Sequence, residues 1–242
     1  MELKSKKIAV PKKVAVFDID GTVFRSSLLI ELVDALIMEK IFPKKVRNIY
    51  IRQYENWLNR KDSYEKYINA VILAFESNIS GINEKKFNQV CEKVIAFHKN
   101  RLYRFSRDLI KKLKKKKYYL LAISHSPMYV VGRFAKEIGF NKVYGRVLEA
   151  VDGKLTGKTL HQDLIFDKSK ILKRAIEKEN LTLRGSIGMG DTESDIPFLK
   201  MVERPICFNP NKVLFNYAQK RNWTIVVERK DVIYKFGKKI RI

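Results

Sequence analysis

The chain reads as an α/β protein: a parallel sheet with helices on both faces, and a block of helices following the first strand. Three observations predict this. Apolar, strand-length runs stop on polar residues at VAVFD (14–18), YYLLAIS (118–124) and GSIGMGD (185–191). Helix-period segments lie between the strands, and that alternation implies parallel pairing with helices on both faces. From residue 28 to about 100 the apolar spacing is helical.

Taken in order, VAVFDIDGTVF carries Asp18 at the end of its apolar run, Asp20 two residues on, and a turn at Gly21-Thr22. Asp-Gly is common turn chemistry, which accounts for Asp20 but not for Asp18. Side chains at i and i+2 of a strand share a face, so the two carboxylates are expected side by side. Such a pair is tolerable with a cation between them, or with one carboxyl protonated and able to act as an acid.

LLIELVDALI (28–37) begins the helical block. It continues with Ile49, Tyr50 and Trp57, then Tyr64, Tyr67, Ile68, Val71, Ile72 and Phe75, then Phe87, Val90, Val94 and Phe97, divided by turns at FPKK and NISGIN. These aromatic stripes are read as core. A basic amphipathic helix (106–117) leads to the strand ending on Ser124, and MYVVGRFAKEIG forms the next helix. KVYGRVLEAVDGKLTGK is a hairpin turning at Asp152-Gly153. A helix over about 168–179 precedes GSIGMGD, after which RPICFN and WTIVV supply two more strands.

Asp18 with Asp20, Ser124, and Asp191 with the following Asp195 therefore stand at three strand ends. In open parallel sheets the carboxyl ends of the strands form the binding crevice, so these groups are expected to meet. Converging carboxylates need a cation, and an all-oxygen ligand set with room for water and phosphate suits Mg2+.

The formal net charge is +24, from 50 Lys and Arg against 26 Asp and Glu. This suggests anionic partners, against the plainer alternative of a Lys-rich composition with solvated lysines. The lysine run at 114–117 is read as a solvated helix end. Cys91 and Cys207 have no metal-ligand spacing and are read as buried thiols, and no apolar leader or membrane-length run is present, so a cytoplasmic location is expected. No nucleic-acid motif and no regular interleaving of aromatic with basic residues marks a strand-binding face.

Four motifs in order, DIDGT, Ser124 after LLAI, a lysine in DKSKIL, and GDTESD, together resemble the haloacid dehalogenase superfamily of phosphatases, in its phosphoserine-phosphatase-like branch. The resemblance implies a Rossmann-like core over residues 1–25 and 101–242, with an inserted helical cap over 26–100. It implies a Mg2+-dependent phosphomonoesterase acting through an aspartyl-phosphate on a small phosphorylated metabolite. Asp18 would be the nucleophile and Asp20 the acid and base. Lys168, with Lys170 as runner-up, would neutralise charge, and Thr22 and Ser124 would hold phosphate. Mg2+ would be held by Asp18, the Asp20 carbonyl and Asp191, with Asp195 in support.

Ser27 stands where phosphoserine phosphatases carry an acid, and His125-Ser126-Pro127 replaces their glycine pair, so a phosphoserine-like substrate is an expectation and phosphoserine itself is not singled out. His125 is read as contacting phosphate or shaping the turn, Arg25 as binding an anionic substrate tail or lying on the surface, and Phe24 as lining the cleft or packing the cap. His98 and His161 show no partners. Two alternatives stand beside the small metabolite: a phospholipid-type phosphate met at an anionic membrane, and a basic nucleic-acid or membrane-binding protein.

Overall fold

The computed structural model describes residues 10–237; the basic stretch at 1–9 and residues 238–242 lie outside the described residues. Strands β1 (Lys12–Asp18), β2 (Tyr119–Pro127), β3 (Lys142–Val151), β4 (Lys154–Leu160), β5 (Leu181–Gly190), β6 (Arg204–Phe208), β7 (Thr224–Arg229) and β8 (Val232–Phe236) form one sheet in the order β4-β3-β2-β1-β5-β6-β7-β8. Pairing is parallel from β3 through β7, and antiparallel at both edges, where β4 and β8 fold back.

The helices are α1 (Leu28–Met38), α2 (Ile51–Leu58), α3 (Tyr64–Glu76), α4 (Glu84–His98), α5 (Arg104–Lys115), α6 (Met128–Ile138), α7 (Gln162–Ile165), α8 (Lys168–Glu179), α9 (Ile196–Leu199) and α10 (Lys212–Lys220). Tight 3-10 turns occupy Lys44–Ile49 and Glu193–Asp195. Among the described residues no helix is long and apolar enough to cross a membrane.

Strand alternation divides the core in two. Ala15 and Phe17 of β1 face α5, α6 and the helical block, while Val14 and Val16 face α8, α9 and α10. Each face needs its own helical cover because a strand buried on both sides has no polar edge to offer water. Fully burying a side chain such as Phe17 stabilises the fold by about 1.5–3 kcal/mol. The strand order reverses beside β1: the chain builds β2 and β3 on one flank and returns to build β5, β6 and β7 on the other. A crevice consequently opens at the carboxyl ends of β1 and β5.

Two sets of backbone contacts tie the helical block to the sheet. At its root, Arg25 N donates to Arg101 O at 2.9 Å and Tyr103 N to Val23 O at 3.1 Å. At its far end the β3–β4 hairpin docks on the α3–α4 loop, with Gly81 N on Leu155 O and Leu155 N on Ile82 O, both at 2.8 Å. Arg146, buried in β3, adds a hydrogen bond to Glu76 of α3 at 2.8 Å.

Several sequence expectations need correction. β2 does not stop at Ser124; it runs on to Pro127, because this extended chain keeps a neighbour in β3 as far as Arg146. Phe97 is 83% exposed and lies outside the core, since its position on α4 falls on the outer face. Phe24 is a packing residue, fully buried with its ring edge-on to Phe134 at 5.3 Å. β8 was not foreseen: its exposed, alternating residues (232–236) carry no continuous apolar run.

Candidate active site

β1 delivers Asp18 to the crevice, and the chain then leaves the sheet. Ile19 O accepts from the amides of Val23 at 2.9 Å and Phe24 at 2.8 Å, closing a tight turn. Gly21 sits in that turn at φ +79°, and a Cβ there would lie 2.1 Å from an Asp191 oxygen. Only glycine meets both demands.

Asp18, Asp191 and Asp195 converge, with one carboxylate oxygen from each within 4.8 Å of the others. Lys168, the first residue of α8, reaches them from below. Its Nζ donates to Asp18 Oδ1 at 2.6 Å and to Asp195 Oδ1 at 2.5 Å, and its side chain is 3% exposed. Lys170 is exposed, so the geometry brings Lys168 to the cluster and leaves Lys170 at the surface. Asp195 Oδ2 accepts from the amides of Asp191 at 2.9 Å and Thr192 at 3.1 Å, which fixes the loop after β5.

Burial pushes the Asp18 carboxyl up to about 8, against the pull of Lys168 and with further upward pressure from Asp195 and Asp20. Burial also holds Asp191 well above the carboxylate range, with Asp18 and Asp195 adding to the effect. For Lys168 burial opposes the charge, but Asp18 and Asp195 more than offset it and raise the ammonium's pKa. One ammonium thus faces three carboxylates. Asp18 Oδ2 is buried and has no hydrogen-bond partner. An orphaned carboxylate oxygen in a negative, all-oxygen pocket fits a hard divalent cation, and Mg2+ matches that donor set. Asp18 and Asp191 could hold it, with Asp195 behind through Lys168 and the loop amides.

Asp20 departs from the side-by-side expectation. Past the strand end its carboxylate turns away from the cluster and accepts from Leu28 N at 2.5 Å, Ser124 Oγ at 2.6 Å and Ser126 Oγ at 2.9 Å. Hydroxyls and the first-turn amide of α1, not a cation, offset its charge. Ser124 is fully buried and also accepts from Ser126 N at 2.9 Å. Thr22, expected at the phosphate, donates to Asp191 Oδ1 at 3.1 Å and is fully buried. The contribution of Ser126 was missed. Its signal was the i, i+2 relation to Ser124, visible only if the strand continues.

His125 packs 5.9 Å from the Phe166 ring, and its Nε2 is buried without a partner. Burial lowers its pKa to about 4, with Lys168 next in effect, so it stays neutral. Arg25 lines the cavity beyond the acids, 5.7 Å over the Tyr103 ring. His98 does have partners: its Nε2 lies 3.1 Å from Glu31 Oε2, and Arg101 holds the other Glu31 oxygen at 2.7 Å. His161 is exposed, and both cysteines are buried and free.

The cavity over these groups has a volume of about 810 Å³ and runs from Gly21 and Asp191 to Leu58 and Arg60 of the helical block. Its far wall includes Tyr54 and, beside it, Trp57 and Tyr64, which were read from sequence as core; all three are half-buried and line the cavity. Periodicity identifies an inward helix face but does not say whether that face meets protein or space.

A family model described as haloacid dehalogenase-like hydrolase matches residues 15–200. Phosphoserine phosphatase of Archaeoglobus fulgidus is 22% identical over 86% of this chain and 55% of its own length, so the chain spans about half of that relative. Phosphoserine phosphatase of Streptococcus thermophilus is 26% identical over 81% of this chain and 84% of the relative. Among solved structures, a Bordetella pertussis protein of unknown function superposes with TM-score 0.67 at 19% identity, covering 89% of this chain and 98% of that one. A phosphoserine phosphatase solved as a phospho-aspartyl intermediate analogue gives 0.61 at 21% identity, covering 91% and 95%. These structures share the fold.

Proposed function

The chain belongs to the haloacid dehalogenase-like hydrolases, and from that premise we propose that it is a Mg2+-dependent phosphomonoesterase acting on a small phosphorylated metabolite through an aspartyl-phosphate. The observation that carries this reading is the buried Asp18–Lys168–Asp195 arrangement, in which one Asp18 oxygen is held by the ammonium and the other is left without a partner.

Asp18 attacks phosphorus in line; the bond to the ester oxygen breaks, and Asp20 delivers a proton to the departing alkoxide. Water then attacks the aspartyl-phosphate as Asp20 takes its proton, which releases phosphate and restores Asp18. Ser124 and Ser126, which reach Asp20 here, turn their hydroxyls to the phosphate oxygens when substrate enters. Lys168 balances the charge of the nucleophile and of the phosphoryl group in transfer. Asp18, Asp191 and the Asp20 carbonyl would hold Mg2+, whose charge lets an anionic nucleophile approach an anionic phosphate. Residues 26–100 act as the cap that covers this chemistry and excludes bulk water.

Acetyl phosphate hydrolysis tests this reading, because that acyl phosphate transfers its phosphoryl group to Asp18 by the same in-line attack, releases only acetate, and brings almost no leaving group to the cap. Turnover should require Mg2+, and Asp18→Asn should reduce it by roughly a thousandfold or more. Equal turnover by the folded variant, or by wild type in excess chelator, would remove the proposal.

A further inference from the structure

We propose, resting on the phosphatase reading above, that the ester released at this site is a nucleoside carrying a second phosphate: a leaving group with a planar ring and a further anionic charge.

Size is the first argument. A cavity of about 810 Å³ falls in the range that encloses ligands of nucleotide size and far exceeds what an amino-acid phosphate fills.

The wall is the second. Tyr50, Tyr54, Trp57, Tyr64 and Tyr67 form one aromatic cluster along the cavity, with Trp57 stacked on Tyr67 at 5.6 Å and 18° and Tyr54 5.3 Å from Tyr67. Tyr50 and Tyr67 are buried, whereas Tyr54, Trp57 and Tyr64 remain half-exposed to the cavity. Rings that are held in place by their neighbours yet open to a cavity are preorganised to stack on a flat ligand. Tyr64 stands nearest the acid end: burial and then the charges of Asp191, Asp20 and Asp18 raise its pKa, so it stays a hydroxyl.

Charge is the third. Arg25, Arg47 and Arg60 line the cavity and are exposed, and among the described residues none is paired with a carboxylate. Arg101, by contrast, is held by Glu31 at 2.7 Å. The reacting phosphate is placed at Asp18 and Lys168, so these other guanidiniums call for a second anion, and a phosphate suits their forked donors. Of the two wall carboxylates, Glu31 has both oxygens engaged, by His98 and Arg101, and Asp34 accepts from the Tyr50 hydroxyl at 2.5 Å. A phospholipid fits less well, because the aliphatic part of the wall is limited to Ile30, Ile51 and Leu58 among the phenols and guanidiniums.

The test is calorimetric titration of the full chain carrying Asp18→Asn, in Mg2+ buffer, with adenosine 3′,5′-bisphosphate, adenosine 5′-monophosphate, phosphoserine and lysophosphatidate. Adenosine 3′,5′-bisphosphate should bind about tenfold or more tighter than phosphoserine, in keeping with the value of one stacked base. Adding Arg47→Gln, an exposed change that spares the core, or Trp57→Leu should each weaken that binding several-fold. Phosphoserine or lysophosphatidate binding as tightly as the bisphosphate would overturn the substrate class, as would bisphosphate binding that is indifferent to both wall changes. The phosphatase reading stands or falls separately, on the acetyl phosphate assay with wild-type protein.

Discussion

The two ends of the cavity are built in opposite ways. At the acid end the functional side chains are held by hydrogen bonds: Asp195 by Lys168 and two amides, Asp20 by two hydroxyls and an amide, Asp191 by Thr22 and Asp18 by Lys168. At the helical end, Arg47 and Arg60 are exposed and unpaired with carboxylates among the described residues. Strand ends are fixed by ladder hydrogen bonds on both sides, which suits groups that must be placed to within a fraction of an ångström. Exposed turns between helices, where Arg47 and Arg60 sit, tolerate substitution without disturbing a sheet, which suits groups that select a ligand.

That contrast breaks most visibly at Lys168. Replacing it with Met leaves two buried carboxylates, Asp18 and Asp195, without their ammonium, and removing one partner of a buried pair costs about 3–5 kcal/mol. Lys168→Met should therefore lower the urea midpoint strongly as well as abolish turnover, and added Mg2+ should recover part of the stability. Unchanged unfolding would mean that the cluster is already neutral by protonation.

A smaller effect concerns His125. Its pKa is 6.5 when unfolded and about 4 when folded, so the unfolded chain binds more protons between those limits. Stability is fully present above pH 6.5 and falls as pH drops toward about 4. His125→Asn should show a shallower loss of urea midpoint over that window than wild type. Parallel curves for the two proteins would show that His125 does not stay neutral.

The smallest expected effect sharpens the other side of the comparison. Arg60→Gln should leave stability within about 0.5 kcal/mol, as exposed changes usually do, while raising KM for a doubly phosphorylated substrate more than it lowers kcat. A selective fall in kcat would place Arg60 with the acid end.

Much of the acid end was legible because each motif is short and contiguous. The apolar runs locate the strands, and parallel topology brings the ends of the runs in β1, β2 and β5 to one edge. Lys168 was legible as the residue that opens α8. Asp20 and Thr22 were not, because their orientations are set after the chain leaves the sheet, where strand periodicity no longer applies. Ser126 was hidden behind a strand end judged too early. His98 and Glu31 lie on different helices, and no local pattern announces their contact.

By itself the sequence determined the alternation of strands and helices and the acids at the strand ends, since these follow from local periodicity and chain order, while Lys168 was singled out over Lys170 only by the resemblance of its motif. The tertiary structure alone decided which hydroxyl reaches which carboxylate, that one Asp18 oxygen stays unpartnered, and that an aromatic stripe faces a cavity. Those outcomes depend on distances between residues far apart in the chain, up to the 169 positions separating Thr22 from Asp191. Such distances exist only once the sheet order has brought the segments together.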